Sequence, residues 1–500
     1  MKFTHKYAAP AARMLAAMAL AWGAGVPAAV AQTAADSADN ATIVAAREAW
    51  RARDAVALLA ARDQLIQTQH PLAPWADYWS LMLRLPTLSV AEADAFFARW
   101  SDSYVADRGR NDWLLELGRR QDWETFLRIQ PQFRMADDRE VTCLGVWARY
   151  QSRPAAQTQE TWRTQAQQAW WDQKDADQGC DRMASGLLKA GVLRTEDVWQ
   201  KLRLVVETNK PKAVQQAARH LGDAVAQVAA RLMTAPQAVL QPGALSGSLA
   251  SADGEGDRAP GASIGPQSPA KQPVAKTRSL LRKKPVPRPT LASIPLSIPP
   301  ESEGPLNLLA FIRWASVDHA AATAAIADAA TRARWQWRAE EAAWAWAQLG
   351  RTAAWRLLPE APAHYARAWT DLGMAAGAGE LPRGAAAWSD ETLAWMVRSA
   401  IRAATAGDAA RWVQVEQAVS AMTPAQRNDP TWLYWQARAL QARAATSPAQ
   451  ATALRQQARE RLVQVADPLT FYGQLASEAL QGRPPAPPPA PAPISESELV

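Results

Sequence analysis

Tryptophan set at helical spacings beside short Leu-Gly steps restricts what this chain can fold into more than any other feature. The sequence holds 24 tryptophans in 500 residues. Two stretches, Asp112-Trp113-Leu114-Leu115-Glu116-Leu117-Gly118 and Trp344-Ala345-Trp346-Ala347-Gln348-Leu349-Gly350, read as copies of one helix-end design. In this reading each ends a helix at its glycine, and another tryptophan follows, Trp123 or Trp355. A helical hairpin cannot bury its apolar face alone, so repeated hairpins imply a stack. The expected fold is therefore all-α: a right-handed superhelix of stacked helical hairpins, an α-solenoid. Tryptophan beside alanine at helical spacing points to core packing rather than to a sugar-binding platform, because burial is what such rings contribute most.

The first thirty residues have the form of an export signal. Lys2, Lys6 and Arg13 supply a positive start, Met14 to Val26 a short run of small and apolar residues, and Ala29-Val30-Ala31 a small-x-small cleavage site. An uncleaved anchor needs roughly 20 apolar residues, more than this run provides. No cysteine lies near the cleavage site to accept a lipid. The leader at 1–31 is therefore expected to be removed after Ala31, and no later segment reads as a membrane span.

At the other end, residues 484 to 493 form a proline-alanine spacer, stiff and extended. Ser495 with Glu498 three residues later then makes a capping box, the signature of a helix about to begin. A one-turn helix cannot offset its own nucleation, so the chain reads as interrupted there; the alternative is a frayed tail with a chance Ser-x-x-Glu.

Loss of Lys2, Lys6 and Arg13 with the leader takes the formal net charge from +7 to +4. Seven lysines and arginines lie between Lys271 and Arg288 with no acidic residue among them. That one segment exceeds the whole excess, so the folded parts are near neutral. A nucleic-acid partner requires a basic face on a folded module, and none is indicated; a solvated basic linker is, with weak attraction to an anionic wall polymer as the other reading. The two cysteines, Cys143 and Cys180, are expected to pair in an exported chain, which stabilises a loop of this length by roughly 3–4 kcal/mol. The alternative is two separately buried thiols. No metal site is expected: two cysteines are too few ligands, and the five histidines, His5 included, form no cluster. No cofactor motif appears, and His70 reads as a loop residue rather than a base.

Between Ile43 and about Leu240 helix follows helix. Ser89 with Glu92 opens a helix from Ala91 to Trp100, and Trp75, Trp79, Met82 and Leu83 form one apolar stripe. Residues 241–305 are rich in Pro, Gly, Ser and Ala and poor in large apolar side chains; such a segment cannot offset its ordering entropy and is expected to be disordered. It divides the superhelix, 32–240 and 306–480, in sequence and not necessarily in space. Helices resume at Leu306. Leu393, Met396, Val397, Ala400, Ile401 and Ala404 follow helical spacing, and Gly407 ends that helix. Trp412, Val415, Val419 and Met422 stripe the next. Asp429 caps a third with Pro430 in its first turn, where Trp432, Trp435, Ala439 and Leu440 face inward. Residues 481–500 hold the spacer and the start of a helix. Strand-like alternation is nowhere sustained.

Several of these stretches together resemble the soluble lytic murein transglycosylases of Gram-negative bacteria. They are His70-Pro71-Leu72-Ala73-Pro74-Trp75-Ala76-Asp77-Tyr78-Trp79, Phe96-Phe97-Ala98-Arg99-Trp100-Ser101-Asp102-Ser103, Ala106-Asp107-Arg108, Asn111-Asp112-Trp113-Leu114 and Asp122-Trp123. Further on come Trp395-Met396-Val397-Arg398-Ser399-Ala400-Ile401-Arg402, then Trp432-Leu433-Tyr434-Trp435-Gln436-Ala437-Arg438-Ala439-Leu440, then Phe471-Tyr472-Gly473. Order and spacing carry the resemblance, over about residues 43 to 480 except for 241–305, which departs from the compact family pattern. Cys143 and Cys180 look like the family's cysteine pair.

The resemblance implies a helical superhelix that curls into a ring beneath a lysozyme-like catalytic domain in the periplasm. It implies cleavage of the β-1,4 bond between N-acetylmuramic acid and N-acetylglucosamine in peptidoglycan, leaving a 1,6-anhydro sugar. One glutamic acid suffices: it protonates the leaving oxygen, then as a base helps the sugar's own 6-hydroxyl close the ring. That nucleophile is already tethered, so no second carboxylate need prepare a water. The family's catalytic Glu-Ser, followed by Gly-Leu-Met-Gln, has no counterpart here. Glu301-Ser302 and Glu496-Ser497 are chance dipeptides among prolines, without the buried helical setting that raises a glutamate's pKa. No catalytic residue is therefore assigned within 1–500. The alternative is an exported helical scaffold without chemistry that binds peptidoglycan or a cell-wall protein. Partners in cell-wall synthesis are not readable.

Overall fold

The computed structural model describes residues 27–245, 298–373 and 388–483, with side chains from residue 40 onward. Every regular element among them is helical. None of these helices is long and apolar enough to cross a membrane. They fall into two compact units that divide between Asp197 and Val198, inside the helix Thr195–Glu207. The leader up to residue 26, most of the 241–305 segment and the spacer from residue 484 lie outside the described residues. The expected cleavage point after Ala31 falls within the helix Pro27–Ala52.

Unit 1 is a succession of short helices: Pro27–Ala52, Ala55–Gln67, Ala73–Leu83, Val90–Arg99, Tyr104–Arg120, Trp123–Ile129, Arg139–Ser152, Gln159–Asp172 and Gln178–Lys189. Side chains fix where they begin. Asp54, Ser89, Ser103, Asp122, Asp138, Thr158 and Asp177 each accept a hydrogen bond from a first-turn backbone N–H, satisfying donors that the helix itself leaves free. The capping box of Ser89 and Glu92 is complete, and the helix it opens runs Val90–Arg99. One core of unit 1 gathers Phe96, Trp113, Leu114, Leu117, Phe126 and Ile129, with Trp75, Trp79, Met82 and Trp123 packed around it. A ring the size of Trp113, with none of its surface exposed, removes about 150–250 Å² from water. The Cys143 and Cys180 sulfurs are bonded, joining the helices Arg139–Ser152 and Gln178–Lys189 across 37 residues.

Unit 2 continues with Pro211–Arg219, Asp223–Thr234, Glu303–Val317, His319–Ala327, Ala339–Trp355, Ala361–Asp371, Asp390–Thr405, Trp412–Ala421, Pro430–Thr446, Ala451–Val465 and Phe471–Gln481, with shorter turns between them. Two helix pairs pack most extensively: Ala339–Trp355 on Ala361–Asp371, and Pro430–Thr446 on Ala451–Val465. Residues before and after the proline-rich segment meet in this unit. Arg313 Nε donates to the Met233 carbonyl at 3.1 Å, and the Glu207 carboxylate receives Trp344 Nε1 and Gln348 Nε2, each at 2.8 Å. Leu393, Met396, Val397, Ala400 and Ala404 are buried along one face, with Ile401 half-buried beside them. Gly407 sits past the helix end at φ 117°, and Asp429 caps Pro430–Thr446.

Three sequence expectations are corrected. The helix expected from Leu306 opens at Glu303, and Leu245, Ile298 and Ser302, all inside the 241–305 segment, are buried. Trp355 is 68 % exposed rather than packed. Neither Gly118 nor Gly350 ends a helix: Tyr104–Arg120 and Ala339–Trp355 continue past them. What the two glycines share is close approach. A Cβ on Gly118 would stand 2.5 Å from Leu144 Cδ1, and one on Gly350 would stand 2.8 Å from Tyr365 Cδ2. The Tyr365 ring is fully buried, with its hydroxyl donating to the Thr392 carbonyl at 2.9 Å, so it cannot step aside. The helix end that Gly118 was expected to make falls at Gln121, in the left-handed region at φ 62°.

This packing role has a sign. Gly350→Ala adds a methyl against a locked ring and is expected to lower stability by about 1–3 kcal/mol. Gly118→Ala, whose added methyl would meet the end of the Leu144 side chain rather than a locked ring, is expected to cost less. Urea unfolding of the two variants beside the parent protein checks this, and equal effects at both positions would remove the packing account of Gly350.

Candidate functional site

The stretches that carry the family resemblance meet one another. Pro74 in the first turn starts Ala73–Leu83, which aims Asp77 and Tyr78 at the following helices. Asp77 is 5 % exposed and accepts from Arg99 Nη1 at 2.7 Å and Trp100 Nε1 at 2.8 Å, with Arg62 at 3.7 Å. Tyr78 donates its hydroxyl to Asp112 at 2.6 Å. Burial, with the Asp112 carboxylate beside it, pushes the phenol up to about 12. Asp107 accepts the backbone N–H groups of Arg134 at 2.9 Å and Met135 at 2.8 Å. In unit 2, the Arg398 guanidinium lies 4.8 Å from the Trp395 ring and 5.4 Å from the Trp432 ring, and the Tyr434 and Tyr472 rings are 5.5 Å apart. Asp77, Tyr78 and Asp107 are buried at joints between helices, whereas Arg398 is exposed at the surface.

A cavity of about 240 Å³ opens in unit 1 beside this layer, with Asp112, Glu116, Arg119, Glu140 and Arg182 among its lining. Burial, then the nearby Asp177 carboxylate, raises the Glu140 carboxyl above its ordinary range. A raised carboxyl in a cleft is the usual mark of a general acid. Glu140 already accepts the Gly179 N–H at 2.8 Å, at the start of Gln178–Lys189, and Glu116 is held by Arg119 and Arg120 at 2.6 to 2.7 Å. The cleft can offer hydrogen bonds to a polar ligand, but its carboxylates have structural partners. Glu140 carries no sequence signal, because its environment depends on a helix almost forty residues further along.

Two other glutamates precede a serine in the sequence, Glu301 and Glu496. Glu301 is exposed in a turn at Pro300–Ser302, and Glu496 lies outside the described residues. His70 is a loop residue whose Nδ1 accepts the Leu72 N–H at 3.0 Å.

The expectation that the histidines form no cluster is overturned. His319 and His364, forty-five residues apart in the chain, lie with ring centres 5.3 Å apart, and Glu360 completes a group whose ligand atoms are all within 4.8 Å of one another. The packing of Ala339–Trp355 on Ala361–Asp371 positions His364, and Trp346 stacks on its ring at 5.6 Å. Burial holds both imidazoles below their ordinary range, His364 down to about 4 with His319 adding to the effect. Both are therefore neutral near pH 7.

No protein-family model and no curated protein matches the chain. Among solved structures it is similar to an inactive mutant of the lytic transglycosylase Slt from Pseudomonas aeruginosa, with a TM-score of 0.42 and 19 % identity over 89 % of this chain and 58 % of that one. It is also similar to the 70-kDa soluble lytic transglycosylase solved in complex with bulgecin A, with a TM-score of 0.38 and 16 % identity over the same shares. The chain thus spans 58 % of the length of each of these structures.

The most fully occupied carboxylate of unit 1 is Asp197, 2 % exposed. Arg163 reaches it through two N–H groups at 2.9 and 3.0 Å, Gln167 at 2.7 Å and the Arg194 backbone N–H at 2.8 Å. Burial pushes its carboxyl up, but these donors outweigh burial and hold it below the usual carboxylate range. Such a group stabilises the fold at pH values above its unfolded pKa, and the contribution is lost as pH falls through the folded value. Asp197→Asn is expected to cost about 2–4 kcal/mol at pH 7. The gap to the parent protein should narrow as pH falls below about 4. Urea unfolding across pH 7 to 3 measures both, and a gap that stays constant with pH would exclude charge as the cause.

Proposed function

We propose that this chain is the helical scaffold of an exported, periplasmic lytic transglycosylase that cleaves the N-acetylmuramic acid–N-acetylglucosamine β-1,4 bond of peptidoglycan and leaves 1,6-anhydro-muropeptides. One observation carries the reading. Stretches picked out in the sequence only by their order and spacing are joined side chain to side chain: Asp77 to Arg99 and Trp100, Tyr78 to Asp112, and Arg398 between Trp395 and Trp432. A chance scatter of Trp-rich motifs has no reason to converge on shared hydrogen bonds. These contacts support reading the resemblance as one of packed layout, which is what a scaffold requires.

On this reading the cleaving glutamic acid belongs to the lysozyme-like domain that accompanies such scaffolds in the family. Asp77, Glu116 and Asp197, buried among the described residues, each accept several N–H donors, and a carboxylate so supplied is stabilised in its charged form and is a poor proton donor. The scaffold's part is to hold a glycan chain or a catalytic domain in place, which asks for rigidity rather than reactive groups.

Purified sacculi separate the possibilities. The protein isolated from its own cells is expected to release 1,6-anhydro-muropeptides, detected by mass, whereas a chain made to end at Val500 should fold and release none. A native protein that releases none would overturn the transglycosylase reading. Release by the chain ending at Val500 would place the chemistry within it and overturn the scaffold assignment.

A further inference from the structure

Two buried imidazoles stand beside one carboxylate in unit 2. His319 is 6 % exposed and His364 is 7 % exposed, and the Nε2 atom of each is buried without a hydrogen-bond partner. A buried nitrogen left unsatisfied is destabilising, and two in one place call for a shared ligand. His319 opens the helix His319–Ala327, while Glu360 and His364 stand four residues apart at the start of Ala361–Asp371. One helical turn therefore supplies two ligands on one face, and a second helix start supplies the third. Glu360 Oε1 lies 4.0 Å from His319 Nδ1, and its side chain is 42 % exposed, so the group opens to solvent on the carboxylate side.

We propose that His319, Glu360 and His364 bind one divalent transition-metal ion of the class that favours imidazole, with Zn²⁺ as the representative. Neutral imidazole nitrogen and carboxylate oxygen are the donor set of a three-ligand zinc site whose fourth position is taken by water. Around a tetrahedral ion, donor atoms about 2.1 Å from the metal stand roughly 3.4 Å from one another. The ligand atoms here lie within 4.8 Å of one another, and the half-exposed Glu360 has the freedom to close the difference. Trp346, 6 % exposed and stacked on His364, forms an apolar wall that fixes the ring and keeps competing water away. An ion so held would fasten His319–Ala327 to Ala361–Asp371, a structural clamp within unit 2 that is separate from any glycan chemistry.

The test uses the full, untagged chain freed of metal with a chelator and titrated with Zn²⁺ by calorimetry, then with Co²⁺ by visible absorption. One Zn²⁺ per chain is expected, with a rise in thermal midpoint that follows the zinc concentration. Affinity should fall about tenfold or more in Glu360→Gln and further in His364→Gln. Substituting His70 and His220 together, which lie outside this group, should leave it unchanged. Co²⁺ should give the visible band of a four- or five-coordinate ion, lost in the same variants. Should His364→Gln fail to fold, Glu360→Gln decides, because its side chain is half in solvent. Failure to bind Zn²⁺, or equal binding by the parent protein and Glu360→Gln, would overturn the site. The transglycosylase reading stands or falls separately on the sacculus assay, which contains no zinc arm.

Discussion

Glu207 sits at the end of one helix and receives side chains from residues 137, 141 and 182 positions further along the chain: Trp344, Gln348 and Ser389. Its backbone carbonyl accepts Arg351 Nη1 at 2.9 Å as well. The proline-rich segment falls between these partners in sequence. Helices of nine to seventeen residues, as in unit 2, are marginal on their own, so they persist only by covering one another, and covering them buries polar atoms that must find partners. A carboxylate at a helix end satisfies several donors at once, which makes Glu207 the joint around which unit 2 closes. Asp197 and Asp77 do the same within unit 1. Removing the donors' common acceptor would leave several buried N–H groups unpaired together, a larger loss than any one of the bonds suggests.

Much of this architecture is written locally. Capping residues, proline in first turns and the 3–4 spacing of Leu393, Met396, Val397 and Ala400 are decided within a turn or two of chain, so one sequence is enough to read them. Gly118 and Gly350 depart from the helix-end expectation because glycine answers two demands with the same letter. A helix end asks for positive φ, and a close helix crossing asks for the absence of Cβ. Which demand applies depends on Leu144 and Tyr365, which lie on other helices. At Gln121 a non-glycine residue makes the turn that glycine was expected to make, and nothing local announces it.

The histidine pair failed to appear in the sequence for a related reason. Glu360 and His364 are one turn apart and could have been read as a half-site, but His319 joins them only because three helices pack as they do. A metal motif legible in sequence keeps its ligands within a short span, and this group recruits its third from forty-one residues away. The raised Glu140 carboxyl is hidden likewise, since its neighbours Asp177 and Gly179 come from a different helix.

These features together explain why a resemblance with no catalytic motif can still be specific. A side chain such as Asp77 has two strong donors and one weaker cation around it, and each partner must stand at a set distance along the chain for the helices to meet. The spacings from Asp77 to Arg99 and from Tyr78 to Asp112 are therefore a geometric requirement of the layer, independent of any substrate. Motifs of this kind report how helices are joined. The cleft beside Asp112 follows the same rule, since Arg119 is held on Glu116, Arg182 donates to the Gly118 carbonyl and Glu140 accepts the Gly179 N–H. Polar groups that line a space in unit 1 are thus the same groups that fasten its helices, and the demand to pair buried donors sets their positions.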